Sequence, residues 1–458
     1  GRLYFWNLIG SAAGGGAMTG LMWLFSPSAL PGLAAAMGIT AALFVLPEGL
    51  RTTAVSSKGA AGTEELPSSG GEAVGDAGGG PSSHAPPRST TVWRWVLPAA
   101  ALLSGLAVAL AVVRPPVPVL SEYKGLSRAL HLPDARITAE RSSPYGLMQV
   151  FSSPALRYAP GLSLAWQEEV PAGKAVFNNG DWFGAVVPRQ GGGAFLDSTT
   201  GALPYALESR HRVLILDAGS CSLVSQALDR GAERVTAVEP HPVILSLLGG
   251  ELAGETGDLL RRPAVTVRNL SSRTFLAQDK SQYDLILLPT LDAFGGTAGL
   301  YAVREDYLLT REALRQLWRK LTPGGAISVT SWMDYPLRHP LKIVATLGEA
   351  LEEEGVTDLR DHLAAVRGWA TITILAKKTS INAADVENIR RFCRELRFDP
   401  ALLPGLRAEE RMRFNALQDE RLFRYLEELL SPSRARFIAD YAFNIEPATD
   451  DRPYFSQF

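Results

Sequence analysis

The stretch "VLILDAGSCSLVSQALDRGAERVTAVEP", Val213 to Pro240, constrains this chain more than any other. An apolar run, Val213–Leu216, enters a short turn. A helix-patterned segment follows and stops at Gly231, and a second apolar run, Val235–Val238, ends on Glu239. Two strands with a helix between them cannot pair as a hairpin. They form a right-handed crossover, which places them side by side in a parallel sheet. The pattern then repeats, with strand-like runs at Ala264–Val267, Tyr283–Leu288, Ala326–Thr330 and Ala370–Ala376 and helical patterns between most of them. This alternation predicts an α/β domain with a Rossmann-like, mostly parallel, doubly wound sheet.

The flanks read differently. Leu3–Phe25 is almost uncharged and as long as a bilayer requires, with Gly10-x-x-x-Gly14 and Gly16-x-x-x-Gly20 spacings that permit close helix approach in lipid. Leu30–Leu46 and Trp95–Val113 are two further apolar segments, the last bounded by Trp93-Arg94 and Arg114-Pro115-Pro116. They predict N-terminal transmembrane helices, two within residues 1–50 and one at 93–114. Residues 51–92 between them are rich in Gly, Ser and Pro and read as a flexible loop. Tyr145–Asp197 alternates apolar and polar residues between Gly, Pro and Asn breaks, which predicts a small antiparallel β-domain over 121–205. The Rossmann-like domain is expected at 206–380, and C-terminal helices with a tail at 381–458. The chain opens with Gly inside what reads as a helical bundle, so a fragment of a longer membrane protein, completed by a further membrane subunit or by a second copy, is one expectation.

Charge and cysteine content exclude several classes. The chain of 458 residues carries 45 basic and 47 acidic side chains, net −2, which gives no support for a nucleic-acid partner. Cys221 and Cys393, the only cysteines, rule out a disulfide framework, and six scattered histidines lack metal-ligand spacing, so no metal is expected. In an open parallel sheet the ligand lies beyond the carboxyl ends of the strands. The turn after the first strand brings backbone N–H groups towards it, and an acid about 20 residues further on accepts hydrogen bonds from ribose hydroxyls. Gly219 and Glu239 have this interval. Asp217, Ser220 and Cys221 complete the turn; only Gly219 of the expected glycines is present, so a close approach is partly obstructed by Cβ atoms. "TDDRP", Thr449–Pro453, reads as a salt-bridged turn that docks the tail, anchored by Tyr454, Phe455 and Phe458.

"LTPGGAIS", Leu321–Ser328, with "YDLILL", Tyr283–Leu288, resembles class I S-adenosylmethionine-dependent transferases. With "FLDSTTGALPYAL", "AVEPHP", "SSRTFL" and the terminal "PATDDRPYFSQF", the whole chain is similar to the spermidine synthase-like proteins of bacterial membranes. The resemblance implies binding of S-adenosylmethionine or its decarboxylated form, a small amine as acceptor, and an inner-membrane protein with its transferase-like domain in the cytoplasm. It implies Asp292 as the surviving acid of the motif after the fourth strand, with Pro289 standing at the first and catalytic acid, and Asn269 or Ser271 at the position that reads the adenine. The family's Tyr-Gln pair is Tyr145-Gly146, so its amide is missing. Three readings stay open. One is a membrane-anchored aminopropyl- or methyltransferase-like enzyme. Another is a catalytically degenerate membrane scaffold, and the third is a module that senses a nucleoside ligand.

Overall fold

Apolar side chains at successive positions of a strand point to opposite faces of its sheet, so a strand buried on both faces reads as a continuous apolar run. The strand β5 (Arg212–Leu216) is such a case: Val213 and Ile215 enter one core, Leu214 and Leu216 another. In the computed structural model, which describes residues 2–39, 101–102, 105–106, 109–110, 120–189, 193–208, 210–289, 305–416 and 420–457, β5 is central to an eight-stranded sheet.

The chain divides into two compact units, residues 1–119 with 142–144, and 120–141 with 145–458. In the first, α1 (Arg2–Leu21) exposes Tyr4, Phe5, Trp6, Leu8 and Ile9. Among the described residues no helix is long and apolar enough to cross a membrane. This corrects the expected first span: a helix forms there, but its glycines together with Asn7, Ser11 and Thr19 dilute its apolar content. Most of Trp95–Val113, the end of Leu30–Leu46 and the 51–92 loop lie outside the described residues.

A short helix, α2 (Gly125–Ala129), precedes a four-stranded sheet in the order β1-β2-β3-β4, formed by β1 (Arg136–Ser143), β2 (Gly146–Ser152), β3 (Lys174–Asn178) and β4 (Asp181–Val186), all in the second unit but for the last two residues of β1. The large sheet contains β5, β6 (Arg234–Val238), β7 (Val265–Arg268), β8 (Tyr283–Pro289), β9 (Leu321–Trp332), β10 (Leu363–Arg367), β11 (Thr371–Lys377) and β12 (Asp399–Leu402). Its order is β12-β10-β11-β9-β8-β5-β6-β7. The five strands from β7 to β9 are parallel, and the order reverses between β5 and β8, the switch point of a doubly wound sheet. The other three are antiparallel, with β11 against β9 and β10 against both β11 and β12. The sheet is therefore mixed, and the Ala370–Ala376 run is the return arm of a hairpin rather than a further parallel strand.

One face of the sheet is covered by α6 (Ser272–Gln278), α7 (Arg311–Arg319), α8 (His339–Glu353) and α10 (Arg421–Leu429). The other is covered by α3 (Ser222–Asp229) and α4 (Pro242–Gly249), together with Met148, Val150, Val176 and Val186 of the small sheet. A third core joins β10 and β11 to α9 (Ala383–Leu396) through Val366, Leu375, Ile389 and Phe392. The helices α5 (Ala253–Thr256) and α11 (Arg434–Asp440) are short; α5 buries Ala253 and Thr256, whereas α11 buries none of its residues.

Polar anchors fasten the far edge and the tail. The Asp399 carboxylate, fully buried, accepts the N–H groups of Phe414 and Asn415, both at 2.8 Å, and lies 3.6 Å from the equally buried Arg367 guanidinium. In the tail Asp450 accepts from Thr310 at 2.7 Å and pairs with Arg273, while Phe455 is buried. Asp450 and Phe455 therefore dock the tail, as expected of "TDDRP", whereas Asp451 and Tyr454 are exposed and Phe458 lies outside the described residues. Removing one partner of a buried pair leaves a charge with no counter-charge, and Asp399→Ala is expected to lower unfolding free energy by about 3–5 kcal/mol in urea titrations. A loss below about 1 kcal/mol, the range of exposed pairs, would show that this edge does not depend on the anchor.

Candidate ligand site at the sheet switch point

Beyond the carboxyl ends of β5 and β8 the chain leaves a cavity of about 150 Å³. Its floor is the turn Asp217–Ser220, Leu287 to Pro289 of β8, and Ser328 and Thr330 of β9. Its roof is the small sheet, through Trp182, Phe183 and Gly184 of β4, with Tyr158 beside them. The Tyr158 and Trp182 rings lie 4.3 Å apart and form an aromatic wall. Asp217 is the single charged side chain of the lining among the described residues. The Ser328 hydroxyl, on a residue 2 % exposed, has no hydrogen-bond partner; an orphaned buried hydroxyl in a cavity wall is a point where a ligand atom gains a bond without displacing one.

The turn itself is tightly wound. Asp217 and Cys221 take left-handed conformations, φ 49° and 60°, on either side of Gly219 at φ 54°. Such a conformation costs a non-glycine residue about 1–2 kcal/mol, and Asp tolerates it best because its short polar side chain bonds locally. Here Ser272, the first residue of α6, donates its hydroxyl to Asp217 Oδ1 at 2.6 Å and holds the carboxylate in place. Ser220 donates its hydroxyl to the Ala185 carbonyl of β4. At Gly184 a Cβ would lie 3.0 Å from Ser220 Oγ, so glycine there is what lets the roof descend onto the turn.

Three of the six residues expected to bind the cofactor therefore line the cavity: Asp217, Gly219 and Ser220. The other three do not. Glu239 is 2 % exposed and does not reach the cavity; its Oε2 accepts the Gly219 N–H at 2.7 Å and its Oε1 the His241 N–H at 2.8 Å. The acid at the strand tip thus braces the turn and the start of α4, rather than standing ready for ribose hydroxyls. Cys221 is buried, its thiol pushed up to about 12 by that burial, and it neither lines nor plugs the cavity. Asn269 donates its amide to the carbonyls of Glu239 and Pro240, at 2.9 and 3.1 Å, so its N–H groups tie the β7 tip to the β6 tip and are not free to read a base. Asp292, the expected acceptor-binding acid, lies outside the described residues, while Pro289 stands in the cavity wall.

The aromatic wall and Ser328 were not expected from the sequence. Trp182 and Phe183 stand in "NNGDWFG", where alternation predicts a strand but not which face meets another domain. Beside the site, the His241 ring lies 5.3 Å from Tyr145 and 5.6 Å from Phe183, with both nitrogens buried and without partners; burial lowers its pKa. Among the described residues no cluster of three or more His, Cys, Asp or Glu side chains could hold a metal.

No family model matches the chain, and no curated protein matches it. Solved structures do. A spermidine synthase in complex with the transition-state analogue AdoDATO is 13% identical, over 64% of this chain and 87% of that one, with a TM-score of 0.40. The spermidine synthase from Thermotoga maritima is 14% identical, over 64% and 88%, also at 0.40. A putative methyltransferase from Escherichia coli is 19% identical, over 39% and 81%, at 0.25.

Glu239 gives the site a measurable pH signature. Burial, the largest cause, and the neighbouring Asp217 charge push its carboxyl up to about 7, against the two N–H donors that favour the anion. The folded state then holds a proton that the unfolded state has released, so this group's stabilisation is complete below pH ~4.5, lost as pH rises to ~7, and absent above. A shift of this size corresponds to about 3 kcal/mol. In urea titrations Glu239→Gln is expected to be less stable than the parent at pH 5, because one N–H loses its acceptor, and to approach it by pH 8. Parallel stability curves for the two proteins would refute the assignment.

Proposed function

We propose that this chain is a transferase-fold domain that binds S-adenosylmethionine or its decarboxylated form in the switch-point cavity, for alkyl transfer to a small amine. The observation that carries this reading is the composition of that cavity: one carboxylate, Asp217, opposite the Tyr158–Trp182 wall. A sulfonium is a compact cation with apolar substituents. It is attracted by aromatic faces and by a carboxylate, and hydroxyls such as those of Ser328 and Thr330 can bond its polar tail. In the transfer a neutral amine attacks the carbon next to sulfur, the C–S bond breaks, the thioether leaves, and the nitrogen, now cationic, releases a proton to a carboxylate. Asp217 is the described carboxylate placed to steady the cation.

Pro289 favours a second reading. It occupies the cavity wall where the resemblance expects the proton-accepting acid, and a pyrrolidine ring whose nitrogen is a tertiary amide accepts no proton. A module that binds the cofactor without transferring its alkyl group would retain the rest of this lining. The exposed aromatic and aliphatic side chains of α1 support attachment of the chain to a bilayer, and a cofactor made in the cytosol supports a cytoplasmic face for the domain.

Calorimetric titration of the full chain with S-adenosylmethionine, its decarboxylated form and the uncharged methylthioadenosine tests the reading. Asp217→Asn, which tolerates the same backbone conformation, is expected to weaken the two sulfonium ligands about tenfold, equivalent to ~1.4 kcal/mol, and to leave methylthioadenosine unchanged. Absence of heat from all three ligands would overturn the proposal. Product analysis with putrescine then separates transfer from binding alone.

A further inference from the structure

A second concave site lies on the face of the large sheet that α6 covers only in part. In the parallel register Arg212 stands opposite Arg234, Thr236 opposite Thr266, and Val238 opposite Arg268. Residues two apart on a strand share a face, so all three arginines and both threonines belong to the face that carries Leu214, Leu216 and Val238. The short helix α6 brings Phe275 and Leu276 to that apolar part. The rest of the face stays open as a cavity of about 260 Å³, lined by Arg212, Arg234, Arg268, Thr236, Thr266 and Tyr283 together with one acid, Asp279.

Two features mark this cavity as unfinished. None of the three guanidinium groups has a carboxylate within ion-pair distance among the described residues, although Arg311, Arg315, Arg319 and Arg390 are each paired with acids. Arg212 and Arg234 are direct neighbours across two strands, a placement that like charges destabilise. Asp279 does not neutralise them. Its Oδ2 accepts from Tyr283 and from the Ser281 N–H, both at 3.2 Å, and lies 3.3 Å from Lys320 Nζ, which balances its charge. An anion among the arginines removes the repulsion. Guanidinium forks match the tetrahedral oxygens of a phosphate, and threonine hydroxyls add donors at the right scale.

We propose that this cavity binds a phosphate-bearing anion, separately from the switch-point cavity. Two sources share that chemistry, a soluble phosphate compound and the headgroup of an anionic lipid. The full chain is tested in two arms. In the first, thermal unfolding is followed with and without inorganic pyrophosphate. In the second, flotation is measured with phosphatidylcholine vesicles and with vesicles that also contain phosphatidylglycerol. Each arm compares the parent with a variant carrying Arg212→Gln, Arg234→Gln and Arg268→Gln. Without anion the variant is expected to melt no lower than the parent, since the opposed charges are gone. Pyrophosphate is expected to raise the melting temperature of the parent and to bind the variant at least tenfold more weakly. Greater recruitment of the parent than the variant to phosphatidylglycerol identifies a lipid headgroup; equal recruitment, with the pyrophosphate effect intact, identifies a soluble ligand. The proposal is overturned if neither arm distinguishes the two proteins. Should the triple variant unfold, Arg234→Gln alone is read the same way. Titration of the parent and variant with S-adenosylmethionine reports the other cavity and is expected to give the same result for both.

Discussion

The switch-point site depends on a carboxylate held between two backbone amides. Glu239 sits at the end of β6 and grips Gly219 of the first turn with one oxygen and His241 at the start of α4 with the other. Those amides belong to segments that would otherwise leave donors unsatisfied in a buried setting, and each such orphan is costly. By satisfying both, one side chain fixes the distance between the β5 turn and the β6 tip. The turn can then hold two residues other than glycine in left-handed conformations, because the strain is offset by bonds on every side.

From that brace the roof follows. Ser220 is presented to Ala185, Gly184 gives the clearance, and the aromatic side chains of β4 come down over the strand ends. Hydrogen bonds run from the tail towards the floor by a similar route. Asp450 holds Arg273, the residue before it, Ser272, holds Asp217, and Asp217 lines the cavity. A loop acid, a helix start and a C-terminal segment thus share the placement of one carboxylate.

The alternation of apolar runs places β5, β6, β7, β8 and β11 to within one residue, while β9 starts five residues before its expected run, at Leu321, because "LTPGG" reads as a turn although it is part of the strand. It does not reveal β10 and β12. "LAAVR" and "DPAL" are too short to show a period, and without them β11 cannot be recognised as antiparallel. At the site the spacing from Gly219 to Glu239 is legible, whereas the direction of the carboxylate is not. An acid at a strand tip can face a ligand or the turn beside it, and only the geometry decides. Trp182 and Tyr158 lie 24 residues apart in the small sheet and the loop before β3, and no local pattern encodes either their ring contact or the cavity they close over the large sheet.

Both cysteines are sealed inside cores, Cys221 at 1 % and Cys393 at 3 % exposure, and burial makes each thiol a weaker acid than a free one. Reagents that attack thiolates find no native target in the folded chain. A cysteine introduced at an exposed position such as Tyr145 would therefore carry a fluorophore or spin label without background from the native thiols.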